Sequence, residues 1–173
     1  MSCSARSARG RRPFSSLYNH PLMALVIDDR TAAYIVAVHP CFEDLRQAAA
    51  QLAGLLVLAA TGSKDASPHH PMLETAKEAC AQAVDGVKRS GAIVTDHARP
   101  HHRHLLEASD ALRRALTSAD AWPIDVDAVL APLGIAYRHL QAASRALPGF
   151  QMVSFEQACC GLPTHALRSQ QIL

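Results

Sequence analysis

Residues 28–62 read DDRTAAYIVAVHPCFEDLRQAAAQLAGLLVLAATG and carry the longest periodic pattern in the chain. Within them Tyr34, Val38, Cys41, Leu45, Ala48, Leu52, Leu55 and Ala59 step by three and four residues. That spacing returns side chains to one face of a helix, so it predicts a single long amphipathic helix. Asp28 or Asp29 can cap its start, since a short carboxylate accepts hydrogen bonds from the free backbone N–H groups there. Gly62 suits its end. Pro40 lies inside, has no N–H and crowds the carbonyl of Val36, so a kink or break belongs there. The apolar seam keeps its phase across Pro40, which favours a kink over a full turn.

Three further segments repeat the pattern. A second helix is expected from Pro71 to Ser90, with a seam of Leu73, Ala76, Cys80, Ala83 or Val84, and Val87. Pro71 fits a first helical position and Gly91 a C-terminal cap. A third is expected from Arg99 or Pro100 to Ser118, its seam Leu105, Ser109, Leu112 and Leu116. Asp85 with Arg89 and Asp110 with Arg114 are spaced to pair on the wet faces. A fourth starts near Asp125 and runs through Val126, Val129, Leu133, Tyr137, Leu140, Ser144 and Leu147 to Pro148 and Gly149. Pro132 should bend or restart it. Short connections make such helices antiparallel neighbours, so the expected fold is an all-α antiparallel bundle of four main helices, the first kinked at Pro40. A short helical or extended C-terminal segment follows, with Phe150, Met152 and Phe155 against the bundle. Residues 24–27 could form one short strand, but one strand makes no sheet.

Composition agrees. Among 173 residues there are 32 Ala and 20 Leu against 16 Val and Ile together. Ala and Leu favour helices, and β-branched residues favour strands. The formal charge of +2 comes from the first 22 residues, which hold Arg6, Arg9, Arg11 and Arg12 and no acid; the remainder carries −2. A folded part of that sign offers no footprint for nucleic acid. The longest apolar run, residues 52–60, is far short of the roughly 20 residues that span a bilayer, so no membrane span is expected. Five cysteines without a CxxC motif read as free thiols in a reducing, cytoplasmic setting.

Residues 1–22 have no apolar seam and read as a flexible Arg/Ser-rich tail or a false start ahead of Met23. Targeting is the competing reading, because Arg11, Arg12, Pro13 and Phe14 loosely resemble a twin-arginine export pattern. Residues 23–173 are expected to form one helical domain.

The most conspicuous chemistry is His97, His101, His102 and His104. If the third helix began by Asp96, then His97, His101 and His104 would fall at i, i+4 and i+7 on one stripe. Imidazoles so spaced can hold zinc, copper, nickel or haem iron. The bland alternative is a solvated, polar first turn. Vicinal Cys159 and Cys160 are the other metal candidates, against a reading as buried or inert thiols. Cys41 and Cys80 lie on seams and read as small core hydrophobes. Tyr137 is expected in the core and His139 on the exposed side of the fourth helix.

HExxH, Glu-x-x-His, G-x-S-x-G, P-loop and GxGxxG motifs are all absent from the sequence. The leading expectation is therefore a non-catalytic helical interaction or regulatory protein that associates with itself or another helical protein. The alternative is a metal- or haem-binding bundle built on His97, His101 and His104. An enzyme whose site assembles only in the fold is a third reading.

Overall fold

The computed structural model describes residues 27–152. Four helices follow one another: α1 (Asp29–Ala60), α2 (Pro71–Ser90), α3 (Arg99–Ser118) and α4 (Val126–Ala146), with a 3-10 turn, Gly91–Ile93, after α2. They form the expected antiparallel all-α bundle. The most extensive packing lies within two hairpins, α1 with α2 and α3 with α4, and the seams between hairpins are thinner.

Each helix starts and stops for a readable reason. The Asp28 carboxylate accepts from the Thr31 N–H at 2.8 Å and from the Thr31 hydroxyl at 2.8 Å. Those bonds hold Asp28 below the usual carboxylate range. Asp125 caps α4 in the same way through Ala128 N–H. The imidazole of His70 caps α2 by accepting from Met72 N–H at 3.1 Å, with Pro71 in the first turn as expected. Gly62, just beyond α1, takes a left-handed φ of 70°, where only glycine is free of a Cβ clash. Gly91 instead stays right-handed at φ −55° and leads into the 3-10 turn.

α1 runs on through Pro40 and α4 through Pro132 without interruption of the helix. Around Pro40 the cost is met on the wet side: Val36, whose carbonyl loses its partner, is 75% exposed.

The core is the set of seams. Tyr34, Val38, Phe42, Leu45, Ala48, Leu52 and Leu55 of α1 are buried, with Leu73, Ala76 and Val87 of α2, Leu105 and Leu112 of α3, and Val129 and Leu140 of α4. Tyr137 is only partly buried at the edge of this core. Two expected surface pairs come out differently. Asp110 pairs with Arg113 at 2.6 Å instead of Arg114, and among the described residues Asp85 and Arg89 form no ion pair. Lys77 bridges the hairpins, reaching Asp120 at 2.5 Å.

Small residues set the α1–α2 spacing. A Cβ placed on Gly86 would overlap Sγ of buried Cys41. Gly86→Ala is therefore expected to destabilise by about 1–2 kcal/mol through overpacking, despite alanine's better helix propensity. In a Cys41→Ala background the same change should stabilise, by up to about 1 kcal/mol. Urea titration of the four variants checks this reversal of sign; equal effects in both backgrounds would refute the contact.

Candidate metal centre

α3 and α4 are the most closely packed pair, and one half-buried cluster spans their outer seam. His104 and Glu107 stand one helical turn apart on α3, a spacing that puts them on adjacent parts of one face. His139 comes across from the middle of α4. The two Nδ1 atoms, of His104 and His139, are 3.3 Å apart. Oε2 of Glu107 lies 2.9 Å from the His139 Nδ1 and 3.5 Å from the His104 Nδ1. The three side chains are 22%, 46% and 29% exposed for His104, Glu107 and His139.

Proton bookkeeping shows how the cluster is held together. A carboxylate only accepts, so the 2.9 Å contact is a hydrogen bond when His139 carries a proton on Nδ1 and donates it to Glu107. His104 Nδ1 faces the same nitrogen at 3.3 Å, a contact that a proton on either Nδ1 makes a hydrogen bond. A metal ion shared by the three donor atoms is the alternative to that hydrogen bonding. Ligands of a tetrahedral zinc ion at about 2.0–2.1 Å are separated by about 3.3 Å. The three separations here bracket that value, and these donor atoms form a potential metal-ligand set.

The histidine stripe expected from the sequence is divided by the fold. α3 begins at Arg99, so His97 lies in the preceding turn and is exposed. His101 faces inward and is fully buried. Its Nδ1 is 3.0 Å from the Tyr34 hydroxyl, while its Nε2 has no hydrogen-bond partner. Burial, followed by the charges of His102 and His104, lowers its pKa to about 4. Only His104 of the expected trio reaches the cluster; neither His97 nor His101 is brought to it. His139, expected on the exposed side, is half-buried and is a member. Glu107 was not singled out, although a carboxylate one turn after a histidine is a legible spacing. Cys159 and Cys160 lie outside the described residues.

Among the described residues the other two cysteines, Cys41 and Cys80, are buried free thiols. Burial raises Cys80 to about 11 and also raises Cys41, where Asp44 adds to it, so both stay protonated. Comparison with protein-family models, curated proteins and solved structures found no match.

Proposed function

We propose that this protein is a metal-binding helical bundle that holds one divalent transition ion, zinc in the first place, on His104, Glu107 and His139. The observation that supports it is the convergence of two Nδ1 atoms and one carboxylate oxygen at 2.9–3.5 Å from one another. Two imidazoles and a carboxylate are a borderline donor set suited to zinc, nickel, cobalt or copper. The ion would tie α3 to α4. A tetrahedral ion on three protein ligands keeps one position for water or another ligand.

Haem fits less well. Glu107 sits within 3.5 Å of both imidazole nitrogens, in the space that a porphyrin between two axial histidines would occupy. The interaction reading, drawn from Ala-rich seams and missing catalytic motifs, gains no specific support from the exposed side chains Val36, Val57, Trp122 and Leu130, since exposed apolar residues are common on monomers.

Elemental analysis of untagged protein, followed by calorimetric titration of zinc into the chelator-stripped protein, tests the proposal. One tight equivalent with proton release supports it. Binding no tighter than that of an arbitrary histidine-bearing surface overturns it.

A further inference from the structure

Apart from the cluster of His104, Glu107 and His139, a second group of side chains gathers around buried His101. At the N-terminal end of α3, this fully buried imidazole is enclosed by aromatic rings. Tyr34 meets it edge-on at 5.7 Å between ring centroids, Phe42 lies at 6.5 Å and Phe150 at 4.2 Å. Phe150 comes from the segment after α4. There Gly149, at φ 93°, lets the chain turn back over the bundle. The ring is buried against Phe42 at 5.2 Å and His39 at 5.7 Å.

We propose that residues 147–152 are an acid-released latch, seated on the bundle while His101 is uncharged and lifted when acid charges it. The argument concerns hydrogen-bond capacity. Neutral His101 carries one donor and one acceptor; with the proton on Nδ1 it donates to the Tyr34 hydroxyl, which is also 3.5 Å from the His102 Nδ1, and only a lone pair at Nε2 is left without a partner. An imidazolium donates from both nitrogens. Nε2 has no acceptor, and a buried charged donor without one is costly. The groups facing the ring offer no counter-charge: Tyr34 and Phe42 from α1, Phe150 with His39 behind it, and the neighbouring His102 and His104 on α3 itself. Protonated histidines would repel it. Only the face of Phe150 could accept some of the charge, as a cation–π contact.

The least expensive way to bring water to Nε2 is to lift Phe150. Among the described residues, no backbone hydrogen bond joins residues 147–152 to α1, α2 or α3. The segment is fastened by side chains, chiefly Leu147 and Phe150. The helices, with their internal hydrogen bonds and shared core, have far more to lose. The lowered pKa of His101, mainly from burial, sets the range in which the latch should open.

Fluorine NMR tests this on the full chain carrying 4-fluorophenylalanine in place of Phe150, with far-UV circular dichroism recorded on the same samples. As pH falls from 6.5 towards 4, the fluorine resonance should move to its solvent-exposed position while the helical signal holds. His101→Phe should abolish that movement, and His39→Gln should leave it. In parallel, the C2 proton of His101 should titrate at a higher pH in Phe150→Ala than in the wild type. This second measurement decides the matter if His101→Phe does not fold. The latch is overturned if the resonance and the helical signal change together. It is equally overturned if His39→Gln removes the response, or if Phe150→Ala leaves the His101 titration where it was.

Discussion

Zinc is expected to bind the stripped protein at one site, and to lose at least a hundredfold in affinity when either His104 or His139 is replaced by alanine. Replacing residues that merely orient metal ligands costs 10- to 100-fold, so removing a ligand should cost at least the upper end. Glu107→Gln should cost less than either histidine, because the amide oxygen can still donate a lone pair but brings no negative charge. His97→Ala should leave affinity unchanged, because His97 is exposed in the turn before α3. Acid should weaken binding, since protons and metal compete for the same Nδ1 lone pairs. Calorimetry on the five proteins reads these differences directly. Equal, weak binding in all five would exclude the centre. Loss of affinity in His97→Ala with no loss in His139→Ala would restore the linear histidine stripe in its place.

The contrast between those two histidines shows how far the sequence could be read. The helices were legible because their seams are local: Tyr34, Val38, Cys41, Leu45, Ala48, Leu52 and Leu55 recur every three or four residues, and all are buried. Helix ends were legible where a side chain acts on its own backbone, as Asp28 does. The cluster of His104, Glu107 and His139 was only half legible. Glu107 follows His104 by one turn and could have been found from spacing. His139 is 35 residues from His104 in sequence, and its approach depends on how α3 and α4 are set against each other. That register comes from packing, which no periodicity within one helix specifies.

His101 illustrates a different gap. Its burial was available from the pattern, because the seam of Leu105 and Leu112 extends one turn back to position 101. Taken as part of a run of polar first-turn residues, it looked like a ligand or a solvated side chain. The fold puts it on the core side, with Tyr34 of α1 satisfying one nitrogen. Similarity of residue type along the chain concealed a difference of face: His101 points inward, His104 to the α3–α4 seam and His97 to water.

That inward placement predicts a large acid effect on stability. The pKa of His101 is lowered from 6.5 to about 4, first by burial and then by His102 and His104. The unfolded chain therefore takes up a proton at higher pH than the folded one. The stabilising contribution of the neutral imidazole is complete above pH 6.5 and is lost as pH falls towards 4. The full gap corresponds to about 3 kcal/mol. Lifting Phe150 offers the protein another way out, at the cost of exposing one aromatic side chain, which is about 2 kcal/mol. The measured loss should follow whichever route costs less, so urea-unfolding stability is expected to fall by about 2–3 kcal/mol across that range. Asp28, held below 3.8 by its bonds to Thr31, contributes only at lower pH. His101→Phe keeps an aromatic ring in the space, removes that titration, and should cut the acid loss markedly, leaving the part due to His102, whose pKa burial also lowers. If the variant loses as much stability in acid as the wild type, the acid sensitivity belongs to other groups and His101 is only a packing residue.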